Sequence, residues 1–282
     1  MTAALRHAEP CMGTVFSFDL REPYPRDGAL DETIAWLHWV DATFSTYRPD
    51  SDIGRLARGE AEVGDCAPEV GEILALCDRL TEATGGCFSA CAGGSLDPSG
   101  VVKGWAIERA GSMLRAAGSL NHHVNGGGDI QLSGGPGPGR PWRVGIADPL
   151  RPGTVATVVA GRDMAVATSG TAERGAHILD PRTGRPADGL AAVTVVGPSV
   201  TLADAYATTA FVMGEAALDW IEGLTGYEAY VIGLDGRSWA TSGLRTEAPG
   251  VGTPGQPVAR SGRSTMSTRS AIESATRCGR KG

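Results

Sequence analysis

Three polar segments of this chain carry side chains that could do chemistry. In SVTLADAYATTAFVMG (Ser199 to Gly214), Asp204 and Thr208 stand four residues apart near the start of an apolar run. If that run is helical, the two share a face. A carboxylate and a hydroxyl on one face make a hard-cation site of the kind Mg²⁺ prefers, with the remaining ligands drawn from phosphates and water. The pair also suits a capping aspartate and a threonine bonded back to its own helix.

The segment ATSGTAERGAHILDPRTGRPADG (Ala167 to Gly189) gathers Thr168, Ser169, Thr171, His177, Asp180, Arg182 and Thr183. His177 precedes an Ile-Leu pair that reads as a short strand, and an imidazole held there has a pKa suited to general-base work. A single histidine can equally be structural. Asp180 and Arg182 follow in a Pro-Gly turn that can bind phosphate oxygens. In SLDPSGVVKGWAIERA (Ser95 to Ala110), Asp97 and Lys103 flank a Pro-Ser-Gly turn that feeds a helix. Lys103 and free N–H groups can meet an anion there, and Asp97 can accept hydrogen bonds from a sugar or heterocycle. A capping aspartate with an exposed lysine fits the same residues.

The elements that must hold these groups follow from apolar spacing. Leu30, Ile34, Leu37 and Phe44 fall at helical intervals, and Val70, Ile73, Leu74, Cys77 and Leu80 repeat the pattern between Pro68 and Gly85-Gly86. Further helices are predicted from Lys103 to about Ala117 and from Ala203 to about Leu224. Strands are predicted at Thr14–Leu20, Trp142–Ala147, Val155–Ala160, Met164–Ala167, Ala192–Val196 and Ala229–Leu234, all rich in Val, Ile and Thr. Strands arrive in runs rather than alternating with helices, which points to an α+β fold with mixed or antiparallel sheets.

Glycine supplies 41 of the 282 residues, about twice its usual share. Inside the body it concentrates at junctions such as Gly93-Gly94, Gly100, Gly126 to Gly128, Gly170 and Gly184, where backbone can approach a ligand closely. No GxxxxGK[ST] occurs and Gly126-Gly127-Gly128-Asp129 does not match GxGxxG, so neither a P-loop nor a Rossmann fingerprint accounts for these junctions.

Hydrophobic residues at 41% and charged residues at 20% exclude a fibrous protein or a wholly disordered chain, and a net charge of −7 gives no reason to expect nucleic acid. Six cysteines and five histidines show neither CxxC nor HxxxH spacing, so reduced, buried thiols and no zinc are expected. No export signal and no long apolar run is present, from which a cytoplasmic location and no stable membrane insertion are expected. Residues 243–282 carry seven Lys and Arg against two Glu in a Gly-, Pro- and Ser-rich context. They are expected to form a disordered basic tail behind a single domain of residues 1–242.

In combination these pieces resemble the ApbE-type FAD:protein FMN transferases, over nearly the whole body and in the family's order. The resemblance is carried by Met12-Gly13-Thr14, Phe44-Ser45-Thr46-Tyr47, Lys103-Gly104-Trp105-Ala106, Val124-Asn125-Gly126-Gly127-Gly128-Asp129 and Trp142 to Pro149. Ala167-Thr168-Ser169-Gly170, His177 to Gly184 (HILDPRTG) and Asp204-Ala205-Tyr206-Ala207-Thr208 complete it. It implies a T-fold-like α+β architecture of two similar halves that binds FAD between them. It further implies Mg²⁺-dependent transfer of FMN from FAD to a threonine of a client flavoprotein, with AMP leaving. Met12, Tyr47, Asp97, Lys103, Ile178 and the backbone around Cys87, Phe88 and Ser89 would be FAD contacts. Asp204, Thr208 and the Gly100 carbonyl would hold the metal, and His177, with Asp180, would serve the acceptor hydroxyl. Ser89 departs from the pattern, standing where relatives usually carry Asp, so one carboxylate of the usual FAD pocket is missing. Two other readings share this pocket: an Mg²⁺-dependent FAD pyrophosphatase giving FMN and AMP, and a flavin-binding protein without turnover, which needs neither metal nor base.

Overall fold

The computed structural model of the chain describes residues 4–171, 178–248 and 258–259. Strands β1 (Leu5–Cys11) and β2 (Thr14–Arg21) open it as a hairpin. Its two-residue turn, Met12 and Gly13, has φ of 50° and 68°. Positive φ at both positions matches the twist of the flanking strands. Helices α1 (Ala29–Phe44), α2 (Asp52–Ala57), α3 (Pro68–Ala83) and α4 (Ser99–Ala116) follow, then the hairpin β3 (Asn121–Gly126) and β4 (Asp129–Ser133). A further hairpin, β5 (Trp142–Ala147) and β6 (Val155–Gly161), precedes β7 (Ala165–Gly170). Short strands β8 (Leu179–Asp180) and β9 (Arg185–Pro186) lie in the crossing to β10 (Leu190–Gly197). The chain then forms α5 (Val200–Met213), α6 (Ala217–Glu222), β11 (Glu228–Gly233), β12 (Ser238–Ala240), β13 (Thr246–Glu247) and β14 (Val258–Ala259).

The main sheet has eight strands in the order β1-β2-β3-β4-β7-β10-β11-β12. Every neighbouring pair is antiparallel. Each half of it repeats one plan: the pair β1-β2, helix α4 and pair β3-β4, then the pair β7-β10, helix α5 and pair β11-β12. The halves meet where β4 pairs with β7, at Ile130 opposite Val166 and Gln131 opposite Ala165. The α+β expectation and its two similar halves are what the chain forms.

Strand alternation divides the core in two. On one face Val124, Ala165, Ala167, Val193 and Val195 pack against the helices; on the other Ile130, Leu132 and Val166 pack against Trp142, Val144, Ile146 and Val159 of the β5–β6 hairpin. α5 is buried on nearly every side, with Val200, Ala203, Ala207, Ala210 and Phe211 all inaccessible or nearly so.

The helix expected over Ala203–Leu224 begins earlier, at Val200, and is broken at Gly214, whose φ of 65° ends α5 before a short turn leads into α6. An uninterrupted apolar pattern hid that break. Strand pairing continues past residue 242: Thr246–Glu247 pair with β6 and Val258–Ala259 with β5. The remainder of the expected tail, residues 249–257 and 260–282, lies outside the described residues. Cys11, Cys66, Cys77 and Cys87 are free thiols as expected, whereas Cys91 is disulfide-bonded. No helix among the described residues is long and apolar enough to cross a membrane.

Candidate functional site

The site grows from the contact between α4 and α5. A Cβ built on Gly104 would fall 2.7 Å from the Val200 carbonyl oxygen, 2.9 Å from the Thr201 Cα and 3.2 Å from the Asp204 Cβ. Only a residue without a side chain lets the two helices come this close. Gly100, Gly104 and Glu108 are spaced by four on α4, and Thr201, Asp204 and Thr208 by three and four on α5, so each trio forms one stripe. Glu108 meets Thr201 and Gly104 meets Thr201 and Asp204, which makes the helices antiparallel and leaves Gly100 at the Thr208 end. The three positions expected to hold a metal therefore lie on facing stripes.

Lys103 projects beside this seam. Its ammonium is paired with Asp129 of β4 and stands 3.5 Å from Asp204 Oδ2. Asp129 is 1% exposed and its Oδ1 accepts the Thr168 backbone N–H at 3.0 Å. Asp204 is 4% exposed. Its Oδ2 is buried with no hydrogen-bond partner at normal distance, the Lys103 ammonium that pairs with Asp129 standing 3.5 Å from it as an ion-pair partner. Burial, and then the negative charge of Asp129, push the Asp204 carboxyl well above the ordinary range, with Lys103 opposing them. Thr208 shares a hydroxyl hydrogen bond with Ser169 of β7 at 3.0 Å. A buried carboxylate oxygen without a hydrogen bond is costly, and the Lys103 charge at 3.5 Å offsets only part of that, leaving room for a second cation. The donor set suits a hard cation: one carboxylate, one hydroxyl and a backbone carbonyl, all oxygen. Among the described residues no cluster of three or more His, Cys, Asp or Glu could hold a metal alone, so substrate oxygens and water would complete such a site.

The other expected contacts are arranged around the first turn of α4. The Phe88 ring packs on Gly100, 3.1 Å from where a Cβ would sit, and both Cys87 and Phe88 are buried. Their side chains belong to the core, leaving backbone for any ligand. The Ser89 hydroxyl accepts the Cys91 N–H at 3.0 Å. Asp97 is exposed and its Oδ1 accepts the Ser99 N–H at 2.9 Å, tying down the entry to α4. Ile178 packs on the core and its carbonyl accepts the Ala187 N–H at 2.9 Å.

Asp180 accepts from the Arg182 N–H, Nε and Nη2, each at 2.9 Å, and this guanidinium holds its carboxyl below the usual range. That turn lies against the Gly86-Cys87 loop: Arg182 Cγ is 3.8 Å from a Cβ built on Gly86. Met12 occupies its hairpin turn at positive φ, an outlier for a residue with a side chain, and packs on the core. Tyr47 is 96% exposed, a bare aromatic face in the loop between α1 and α2. No contact brings Tyr47 to Lys103 or Asp204. His177 lies outside the described residues. In the sequence Asp129 stands out only as the acidic residue ending Asn-Gly-Gly-Gly-Asp, and its role as the partner of Lys103 emerges from the fold. Two cavities, of about 200 and 460 Å³, lie elsewhere, lined by residues such as Ser112 and Arg115 or Leu218 and Trp239.

An antiparallel sheet built from two like halves, with an all-oxygen donor set where their helices meet, defines an α+β protein with a charge-handling site on its internal pseudo-symmetry seam. The chain belongs to the ApbE family, whose model matches residues 12–95 and 91–231. It is 33% identical over 236 residues to a FAD:protein FMN transferase of Rhodobacter capsulatus, a match covering 80% of this chain and 42% of that relative. A FAD:protein FMN transferase of Vibrio cholerae is 37% identical over 130 residues, covering 43% of this chain and 39% of the relative. The matched region thus spans less than half the length of either relative. Among solved structures, the flavin transferase ApbE of Vibrio cholerae superposes with a TM-score of 0.76 at 23% identity, over 86% of this chain and 98% of the other. The apo flavinyl transferase ApbE of Pseudomonas stutzeri gives 0.72 at 25% identity, over 86% and 95%.

Proposed function

We propose that this protein transfers FMN from FAD to a threonine hydroxyl of a client flavoprotein in an Mg²⁺-dependent reaction that releases AMP. The observation that carries the reading is the buried Asp204 Oδ2, which has no hydrogen bond and only the Lys103 charge beside it, one turn before Thr208 on a helix whose approach Gly104 permits. Asp204, Thr208 and the Gly100 carbonyl would hold Mg²⁺, which when bound would offset charge on the pyrophosphate oxygens. Lys103, anchored by Asp129, presents a positive charge to the same oxygens. Tyr47 offers an open face on which a flavin or adenine ring can stack. Met12, Asp97, Ile178 and the backbone of Cys87 to Ser89 would shape the rest of the FAD pocket. His177 would take the proton of the acceptor threonine, whose Oγ forms a bond to the FMN phosphorus as the bond from that phosphorus to the bridging oxygen breaks and AMP departs. Asp180, bound to Arg182, would hold the turn that follows His177.

The test is incubation with FAD and Mg²⁺, with and without a flavoprotein domain bearing a candidate threonine. Mass spectrometry reads FMN added to the domain and chromatography reads AMP. Stoichiometric FMN on the domain together with AMP is the expected result. AMP and free FMN at the same rate without the domain would make the protein a hydrolase instead, and FAD retained without AMP would make it a binder.

A further inference from the structure

Glu108 sits on the same stripe of α4 as Gly100 and Gly104, and one of its oxygens gathers three donors from the start of α5. Glu108 Oε2 accepts from Ser199 Oγ at 2.5 Å, from the Thr201 N–H at 3.1 Å and from Thr201 Oγ1 at 2.6 Å. Gln131 of β4 completes the arrangement: its Oε1 accepts the Val200 N–H at 3.0 Å and its Nε2 donates to the Pro198 carbonyl at 3.2 Å. Ser199 Oγ takes the Leu202 N–H at 3.4 Å.

A helix start leaves its first N–H groups without partners inside the helix. Here Val200, Thr201 and Leu202 are satisfied by Gln131, Glu108 and Ser199 respectively. Ser199 is an ordinary cap, supplied by the helix's own sequence. The other two partners come from different elements, and what they add is location. A helix advances about 1.5 Å and turns about 100° per residue, so a slip of α5 by one residue would carry Asp204 out of reach of Lys103. Thr201, the residue Glu108 grips twice, lies one turn before Asp204 on the same face.

We propose that Glu108 is a positioning residue for the Lys103–Asp204–Thr208 site: it locks α5 against α4 so that Asp204 and Thr208 stay in register with Gly100 for a divalent cation. The proposal rests on the reading above that these groups take Mg²⁺. Glu108 touches no reacting atom in it and acts through Thr201.

The experiment compares the full chain with Glu108→Ala and Glu108→Gln. Each is titrated with Mn²⁺ alone, free ion being counted by electron paramagnetic resonance, and each is assayed for AMP release from FAD across a range of Mg²⁺. Loss of a group that orients metal ligands weakens metal binding by roughly 10- to 100-fold, so Glu108→Ala is expected to raise the Mn²⁺ Kd at least about tenfold. Its AMP release at saturating Mg²⁺ should stay within about threefold of the parent, because the reacting groups remain. Glu108→Gln keeps an acceptor oxygen without the charge and should fall between the two. Glu108 borders the cavity of about 200 Å³, so water can replace the removed side chain. If Glu108→Ala nevertheless fails to fold, the Gln variant decides. A Glu108 that merely stabilised the fold would lower the unfolding midpoint and leave the Mn²⁺ Kd at the parent value in every folded variant; that result overturns the proposal. Failure of the parent itself to bind Mn²⁺ or to release AMP would instead overturn the functional reading on which it rests.

Discussion

Asp204 pays a folding cost for its position, because its buried Oδ2 has a cation nearby but no hydrogen bond. Replacing it by Asn removes a charge that burial disfavours. We expect Asp204→Asn to lose on the order of 100-fold or more in Mg²⁺-dependent AMP release while its thermal midpoint without metal stays level or rises. A midpoint well below the parent's would show the carboxylate to be a net stabiliser of the fold. Tyr47 presents the opposite case, a large side chain at 96% exposure that contributes nearly nothing to packing. Tyr47→Ala should leave the unfolding midpoint unchanged and weaken FAD binding by roughly 3- to 10-fold, about 0.5–1.5 kcal/mol of stacking. Fluorescence titration with FAD checks this, and equal affinity would remove Tyr47 from the pocket.

At the scale of elements, the α4–α5 contact depends on Gly104. A methyl there meets backbone, the Val200 carbonyl at 2.7 Å, rather than a side chain that can swing aside. Gly104→Ala should therefore cost about 1–3 kcal/mol of stability and separate the helices enough to weaken metal binding. Denaturant unfolding gives the first quantity and Mn²⁺ titration the second; a variant as stable as the parent would mean that α5 is free to shift.

The elements also explain what could be read from the chain beforehand. α1 and α3 were legible because Leu37, Val40 and Phe44, or Val70, Ile73, Cys77 and Leu80, put one apolar stripe into the core. β1 was not, since it is an edge strand whose residues are mostly exposed and so carries no apolar alternation. β3 hid for a different reason: its buried centre includes His122 and His123, which read as polar. In the site, Asp204 and Thr208 announced themselves by four-residue spacing. Asp129 and Glu108 did not, because their partners Lys103 and Thr201 are 26 and 93 residues away in sequence and only the fold joins them.

Taken whole, the molecule is built to be stable near neutral pH and to weaken in acid. His122, held between Ser119 and the Gly111 carbonyl, and His123, edge-on to Trp142, are both pushed down to about 4, chiefly by burial. Their folded pKa values lie below the ordinary 6.5, so as pH falls from 6.5 toward 4 the unfolded chain binds more protons than the native one and stability is lost. Fully titrated, this amounts to on the order of 3 kcal/mol for each imidazole. Asp19 adds to the loss at still lower pH: burial raises its carboxyl, but Arg21 and Arg6 outweigh that and hold it below its usual value. Denaturant midpoints should fall steadily between pH 7 and pH 5, and His123→Phe, which keeps a ring against Trp142, should flatten the slope. Asp204, raised to about 7 by burial, takes up a proton over the same range and works the other way. The comparison is therefore made in Asp204→Asn: identical midpoints at the two pH values in that variant would show that neither imidazole is kept neutral by the fold.

The facing stripes of α4 and α5 also amount to a searchable signature. Written along the chain they read Gly-x-x-x-Gly-x-x-x-Glu, at 100, 104 and 108, and Thr-x-x-Asp-x-x-x-Thr, at 201, 204 and 208. Because Glu108 and Thr201 grip one another, drift at one should be matched by compensating drift at the other, whereas Gly104 has no substitute to drift toward. A saturation-mutagenesis map of α4 should accordingly show intolerance with a period of four residues, deepest at the glycine and relieved at Glu108 when Thr201 is varied with it.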